Sequence, residues 1–244
     1  MKGQNVVVTG AAQGIGAAIA KMAIERGASG VALIDKNREQ LETTVAALDS
    51  DCARVIGIEA DLRRRETCQS AIQQCIDGLG RIDMLANNAG IFIYTPVEDI
   101  DDDEWDIVMD VCLRGLFHTS VAAAKHMREN GAGRIVNIAS VDGFVALPEM
   151  AHYAAAKAGV ISLTRTFAME YVKAGVLVNA VAPGLTDTPR VRANNRAEKV
   201  QSKIPVGRLA TAAEIADAVC YLGSSSNTYI AGEILNVSGG LVIA

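Results

Sequence analysis

The chain has 244 residues and a formal net charge of −5; half of its residues are apolar and only 4% are aromatic. This acidic balance gives no general attraction to nucleic acid or to an anionic membrane, since either would need a basic face. We find no uninterrupted apolar run of about 18 residues, and the first ten residues leave no room for the core of a signal peptide. We therefore expect a cytoplasmic protein that binds neither nucleic acid nor membrane.

Seven short apolar or β-branched segments alternate with longer helical patterns. This alternation predicts right-handed βαβ units and a parallel sheet. We find no linker and no repeat, so we expect one α/β domain over residues 1–244, a doubly wound parallel sheet with helices on both faces. The predicted strands are NVVVT (5–9), VALID (31–35), ARVIGI (53–58), IDMLA (82–86), RIVNIA (134–139), VLVNAVA (176–182) and EILNV (233–237).

The first predicted strand runs into a glycine turn that contains Gly10, Gly14 and Gly16 and opens a helix. Such glycines let the backbone approach a pyrophosphate, whose charge the helix N-terminus then stabilises. A sharp turn can need glycine without any ligand, so the turn alone is weak support. Asp35 strengthens it, because a carboxylate at the end of the second strand can accept hydrogen bonds from an adenosine ribose.

Two residues favour NAD over NADP as the cofactor. The carboxylate of Asp35 would repel the 2′-phosphate of NADP. Gln13 stands in the glycine turn, where a basic residue could bind that phosphate. We therefore predict NAD.

The fifth predicted strand ends at Ser140, on the edge where open α/β sheets bind ligands. Tyr153 and Lys157 are four residues apart and share a face if their segment is helical. A neighbouring ammonium favours the phenolate of a tyrosine and so lowers its pKa. Taken alone this tyrosine–lysine pair is typical of a structural amphipathic helix; together with the glycine turn, Asp35 and Ser140, it predicts hydride exchange between a nicotinamide and a secondary alcohol or ketone.

At this point the sequence resembles the short-chain dehydrogenase/reductase family over nearly its whole length. The resemblance implies a Rossmann-type domain and a homotetramer. The matching motifs are TGAAQGIG (9–16), Asp61-Leu62, NNAG (87–90), Ser140, Tyr153-x-x-x-Lys157, VNAVAPGLTDT (178–188) and a closing G-x-x-x-x-x-x-GG (232–240).

The resemblance also assigns roles to individual residues. Tyr153 is the expected general acid/base, Ser140 orients the substrate oxygen, and Lys157 lowers the tyrosine pKa and binds the nicotinamide ribose. The implied cofactor-binding positions are Gly10, Gln13, Gly14, Ile15, Gly16, Asp35, Asp61, Leu62, Asn87, Ala89, Gly90, Tyr153, Lys157, Pro183, Gly184, Thr186 and Thr188.

The chain departs from the family pattern at Cys112, where members usually have asparagine. In the family, the main-chain carbonyl of that residue holds a water that contacts the lysine. A carbonyl does not depend on the side chain, so Cys112 could retain the relay if the helix keeps its local kink. We expect the thiol to pack in the helix and not to act as a nucleophile, because apolar surroundings disfavour the thiolate.

We expect a mainly apolar substrate site and a lid at about residues 185–208. The basic residues of this lid predict a solvated face or, alternatively, contact with an anionic substrate tail. The candidate substrate contacts are Ser140, Asp142, Tyr94, Phe144, Met150 and His152.

No metal site is expected. The five cysteines show neither C-x-x-C nor paired histidine spacing, which also argues against a disulfide framework. The acidic run EDIDDDEW (98–105) precedes a helix, where carboxylates satisfy free N–H groups and the positive end of the helix.

Two other functions remain open. The first is a 3-oxoacyl-thioester reductase acting on acyl-carrier-protein or CoA substrates, although such relatives more often carry a basic glycine turn and use NADPH. The second is a non-catalytic NAD-binding sensor or scaffold, for which the missing asparagine is the first argument.

Overall fold

A computed structural model describes residues 1–49, 51–193 and 201–243. Seven parallel strands form one sheet in the order β3-β2-β1-β4-β5-β6-β9, and β7 pairs with β8 in a separate two-stranded ladder. The strands are β1 (Asn5–Thr9), β2 (Gly30–Asp35), β3 (Arg54–Glu59), β4 (Met84–Asn87), β5 (Gly133–Ile138), β6 (Val176–Pro183), β7 (Thr186–Asp187), β8 (Ala210–Thr211) and β9 (Ile234–Val237).

Helices cover both faces of the large sheet. They are α1 (Gly14–Glu25), α2 (Arg38–Leu48), α3 (Arg65–Leu79), α4 (Asp102–Met109), α5 (Gly115–Glu129), α6 (Ala151–Tyr171), α7 (Pro189–Arg192) and α8 (Ala212–Gly223). A π-helical turn, Asp110–Arg114, joins α4 to α5.

Alternate residues of the central strands enter two different cores. In β1, Val6 and Val8 pack with α1, α2 and α8, whereas Val7 packs with α3, α5 and α6. Strands buried on both faces read as continuous apolar runs, which is the pattern the sequence carries. The predicted α/β doubly wound parallel sheet is therefore confirmed, and each of the seven predicted strands starts and ends within two residues of its observed bounds.

The acidic run caps a helix, as predicted. Asp101 is the N-cap of α4, and its carboxylate accepts a hydrogen bond of 2.8 Å from the Glu104 N–H. Within the described residues, no group of three or more His, Cys, Asp or Glu side chains could hold a metal ion.

Residues 102–129, which span α4, the π-helical turn and α5, are long and apolar enough to cross a membrane by length and composition. Their buried side chains pack against α3, α6 and the sheet. A helix in the core of a folded domain passes the same test, so this stretch carries no membrane assignment.

Candidate active site

The carboxyl ends of the parallel strands open onto a cavity of about 370 Å³. Loops after several strands converge here, as expected for an open α/β sheet. Ten of the residues predicted from the sequence line it: Ile15, Tyr94, Ser140, Asp142, Met150, Tyr153, Pro183, Gly184, Thr186 and Thr188. The cavity thus joins the expected cofactor side to the expected substrate side.

The glycine turn after β1 is tightly packed. Gly10 has a φ of +62°, and a Cβ at this position would lie 2.7 Å from the Ala89 Cα. A Cβ on Gly16 would lie 2.2 Å from the Gly10 carbonyl oxygen. Main-chain atoms cannot move aside as a side chain can, so both positions require glycine.

The N-terminus of α1 is left without a side-chain cap. Gln13 is its N-cap residue, but the Gln13 side chain makes no capping hydrogen bond. The first N–H groups of a helix lack partners within the helix and bind anions well. This end of α1 therefore fits a pyrophosphate.

Asp35, at the end of the neighbouring strand β2, contacts the glycine turn through its side chain. Its carboxylate accepts hydrogen bonds of 3.0 Å from the N–H groups of Ala12 and Asn37. The side chain is held beside the glycine turn, where a ribose attached to that pyrophosphate would lie.

The next two predicted positions follow β3 at the same edge of the sheet. Asp61 pairs with Arg63, whose hydrogen bonds lower the pKa of the Asp61 carboxyl. Leu62 is buried among the residues between the sheet and α3. Together, the free end of α1, Asp35 and this edge fit an adenine dinucleotide.

Ser140 and Tyr153 line the cavity, and Lys157 lies buried next to Tyr153. Lys157 is only 3% exposed, and its Nζ donates a hydrogen bond of 2.6 Å to the Ile138 carbonyl at the end of β5. The same Nζ lies 5.6 Å from the centroid of the Tyr153 ring. The first turns of α6 and the end of β5 thus bring together the three polar groups that the sequence predicted.

The predicted lowering of the Tyr153 pKa by Lys157 does not appear in the protein alone. Burial raises the pKa of Tyr153, the neighbouring Cys112 and Asp142 raise it further, and a hydrogen bond with Ser140 opposes them. Burial also lowers the pKa of Lys157. Since removal from water disfavours both charged forms, a phenolate here needs additional positive charge.

Cys112 lies in the π-helical turn, a local irregularity of this helix. The Gly115 N–H donates to the Asp110 carbonyl five residues earlier, the bond that defines such a turn. The Cys112 Sγ accepts from the Ile91 N–H at 3.3 Å and donates to the Ile91 carbonyl at 3.2 Å. The thiol is fully buried, as predicted for a packing residue, but it also holds the segment after β4 through a pair of polar contacts.

At Asn87, a predicted cofactor-binding position, the side chain turns into the protein. It is buried, donates to Ser120 and Asn137 at 2.8 and 2.9 Å, and accepts from Thr119 at 2.7 Å. These bonds use the amide inside the protein. Its neighbour Asn88, which the sequence interpretation overlooked, reaches the glycine turn: its Nδ2 donates to the carbonyls of Thr9 and Gly10.

Two predicted substrate contacts lie away from the cavity. His152 is 0% exposed, and its Nε2 lies 3.1 Å from an oxygen of Glu104 on α4. Phe144 packs with the small core formed by Leu116, Val160 and Ile161. His152 therefore faces the interior and Phe144 packs half-buried against a core, which residue type alone does not reveal.

Part of the predicted lid falls outside the described residues, namely 194–200. Of its described part, Thr188 caps α7, and Lys203 lines the cavity. Leu185 and Val191 of the predicted lid also line it, as do four apolar residues that the sequence interpretation did not single out: Phe92, Ala146, Leu241 and Val242. Their apolar character gave no signal that separates a cavity wall from a core.

Comparison with known proteins agrees with this geometry. The family model for short chain dehydrogenases matches residues 4–199. The 3-oxoacyl-(acyl-carrier-protein) reductase FabG of Thermotoga maritima is 34% identical, with 100% of this chain and 99% of that protein covered. The 2-(S)-hydroxypropyl-CoM dehydrogenase 3 of Xanthobacter autotrophicus is 38% identical, with 99% and 97% covered.

A solved structure agrees at the level of the whole fold. The crystal structure of levodione reductase superposes with a TM-score of 0.94 at 34% identity, with 98% of each chain covered. The chain therefore belongs to the short-chain dehydrogenase/reductase family, whose members are nicotinamide-dependent oxidoreductases acting on small molecules.

Proposed function

We propose that this protein is an NAD-dependent dehydrogenase of secondary alcohols, working reversibly with the corresponding ketones. The observation that carries the proposal is the convergence of Ser140, Tyr153 and Lys157 at a cavity that continues to the glycine turn at Ile15. Its walls are mainly apolar, which suits a small organic substrate.

In this mechanism, the chain's own residues bind the alcohol and move its proton. Ser140 hydrogen-bonds the substrate oxygen, and Tyr153 takes the hydroxyl proton during oxidation or returns it during reduction. Lys157 donates to the Ile138 carbonyl beside the phenol, and its ammonium form would favour the phenolate through its charge. The bound nicotinamide would exchange hydride with the carbon and, when oxidised, add positive charge beside the phenol.

The glycine turn and Asp35 would hold the adenosine end of the cofactor. Gly10, Gly14 and Gly16 leave room for the pyrophosphate at the free end of α1, and Asp35 accepts from the ribose hydroxyls. A 2′-phosphate at this place would meet a carboxylate, which supports NAD.

An absorbance assay at about 340 nm tests the function, with NAD and NADP offered across secondary alcohols, polyols, hydroxysteroids and 3-hydroxyacyl thioesters. We expect turnover with NAD preferred. An Asp35→Asn variant keeps an acceptor oxygen for the turn and removes the charge, leaving the adjacent Lys36 to face a phosphate. Its NAD preference should fall roughly five- to tenfold, as expected for losing one repulsive charge near the surface. A wild-type preference for NADP would refute the cofactor assignment.

Replacing Cys112 by alanine should leave substantial turnover. The π-helical turn is a main-chain feature, and losing the two thiol contacts with Ile91 should cost at most about tenfold in kcat/KM. Cys112→Ser, which can keep both contacts, should lie between alanine and wild type.

Cys220→Ala, another buried thiol on α8, is the matched control and should be neutral in the same assay. Abolished turnover in folded Cys112→Ala that still binds NADH would show that the thiol takes part in the chemistry.

A 3-oxoacyl-thioester reductase is the second candidate. The exposed Lys203 at the cavity supports it, because an ammonium there could meet the phosphate of a phosphopantetheine tail. A third candidate is a sensor or scaffold without catalysis. It would not explain why Ser140, Tyr153 and Lys157 lie together. Turnover of the 3-hydroxyacyl thioesters in preference to simple alcohols would favour the second candidate.

We also propose a cytoplasmic homotetramer without nucleic-acid or membrane partners. The family resemblance makes the helical segments 104–129 and 152–173 and the C-terminal segment the candidate contacts. Apolar side chains stand exposed on both helical segments: Trp105 on α4 and Met169, 80% exposed, on α6. A second copy of the chain would remove such side chains from water.

A further inference from the structure

Asp142 lies two residues after Ser140 and lines the same cavity. The two residues are joined by reciprocal bonds: the main-chain N–H of Asp142 donates to the Ser140 Oγ at 3.1 Å, and that Oγ donates to the Asp142 Oδ2 at 3.0 Å. A short 3₁₀ turn, Val141–Gly143, holds both residues in this arrangement. The carboxylate therefore has a fixed position beside the reacting centre.

The second of these bonds uses the hydroxyl proton of Ser140, which catalysis needs for the substrate oxygen. A serine hydroxyl has one proton to donate, and a carboxylate can only accept. While Ser140 donates to Asp142, it cannot donate to the oxygen of a ketone. A substrate donor that takes the place of Ser140 at the Asp142 Oδ2 would free the serine proton for the reacting oxygen.

We infer that Asp142 selects substrates that carry a second hydrogen-bond donor, a hydroxyl or an ammonium, on the carbon next to the reacting carbon. This inference rests on the proposed function and narrows its substrate class to vicinal diols, amino alcohols and their ketone forms. An acceptor at the same place, such as a carboxylate or a thioester carbonyl, would face the Asp142 oxygens and be disfavoured.

The charge around the cavity supports this assignment. Among the described lining residues, Asp142 and Lys203 carry charged side chains. Lys203 is exposed, so water and salt screen it, whereas Asp142 is partly buried and burial raises its pKa. Asp142 is hydrogen-bonded to Ser140 at the reacting centre and is less hydrated than Lys203, so its charge decides which groups can bind beside the reacting carbon.

The test compares three ring substrates that differ at one neighbouring carbon: cyclohexanol, cyclohexane-1,2-diol and 2-hydroxycyclohexanecarboxylate. In the wild type, kcat/KM for the diol should exceed that for cyclohexanol about tenfold or more, as expected for a hydrogen bond to a charged group, and the carboxylate should be poorest. Asp142→Asn keeps an acceptor oxygen but removes the charge, so its diol preference should fall severalfold and the penalty on the carboxylate should shrink.

A pH profile gives a second readout that a merely structural role would not move. The groups that face the Tyr153 phenol are Asp142 after β5, Lys157 on α6, Cys112 in the π-helical turn and Tyr94 after β4. The charge of Asp142 raises the pKa of Tyr153, and alcohol oxidation needs the phenolate. Removing that charge should therefore move the rising limb of the oxidation profile to lower pH.

Asp99→Asn, the same change at an exposed aspartate outside the cavity, should alter neither the ratio nor the profile. Equal wild-type rates on cyclohexanol and the diol would overturn the inference, and this comparison holds even if Asp142→Asn does not fold. An unchanged ratio in a folded Asp142→Asn would overturn it too. Failure of the proposed function looks different: the wild type would turn over no alcohol or ketone with either cofactor.

Discussion

Tyr153→Phe is expected to lower kcat by roughly 10²–10⁴-fold, the usual contribution of a positioned acid/base group. Phenylalanine keeps the ring, its edge contact with Phe92 and its place beside Lys157. It removes the hydroxyl that exchanges the proton. The loss should therefore appear in kcat in the 340 nm assay, while the Kd of NADH, followed by its fluorescence, stays close to the wild-type value.

Tyr171→Phe makes the same substitution on the same helix away from the cavity and should leave kcat unchanged. The comparison separates loss of the proton-transfer group from a general effect of removing a tyrosine hydroxyl from α6. A Tyr153→Phe protein that retains full turnover would refute the acid/base role. A Tyr153→Phe protein that kept full biological activity without turnover would instead support the non-catalytic sensor or scaffold.

Gly16→Ala is expected to weaken both the fold and the binding of the dinucleotide. The new Cβ would lie 2.2 Å from the Gly10 carbonyl oxygen and 2.9 Å from the Ala11 Cα, so the main chain of the turn must shift. Overpacking of this kind costs about 1–3 kcal/mol of stability. The same shift displaces the N–H groups at the start of α1, so NADH affinity should fall by more than tenfold.

Gly80→Ala is the control for this prediction. Gly80 ends α3 with a φ of +82° and has no atom within 4 Å of an added Cβ. Alanine there should cost about 1–2 kcal/mol through backbone strain alone and leave NADH affinity intact. Urea unfolding gives the stability change in each variant, and a fluorescence titration gives the affinity. Wild-type NADH affinity in Gly16→Ala would show that the close packing of this turn does not serve the cofactor.

Local patterns in the sequence were sufficient to predict the architecture. A parallel strand covered on both faces must be apolar throughout, so the runs around Val6–Val8 and Val176–Ala182 stand out without any tertiary information. The glycine turn and Asp35 could be placed because each occupies a strand end, and parallel strands bring their carboxyl ends to one edge.

Side-chain direction could not be predicted in the same way. His152 and Tyr153 are neighbours, yet one faces Glu104 in the interior and the other faces the cavity. On a helix, adjacent residues point about 100° apart, and the neighbouring elements decide which direction is inward. The same holds for the side chain of Asn87, because its partners Ser120 and Asn137 come from α5 and β5.

By itself, the sequence determined the sheet, the glycine turn and the spacing of the catalytic candidates, since these depend on local periodicity and on strand ends. Only the tertiary structure decided two contacts. The thiol of Cys112 hydrogen-bonds the main chain of Ile91, 21 residues earlier. Cys112 lies in a π-helical turn, which no residue pattern in the sequence predicts. The carboxylate of Asp142 accepts a hydrogen bond from Ser140 because a short turn folds it back. The first contact joins two separate segments of the chain, and the second depends on the shape of a turn. The distances that make these contacts are set only when the chain folds, so local sequence patterns do not contain them.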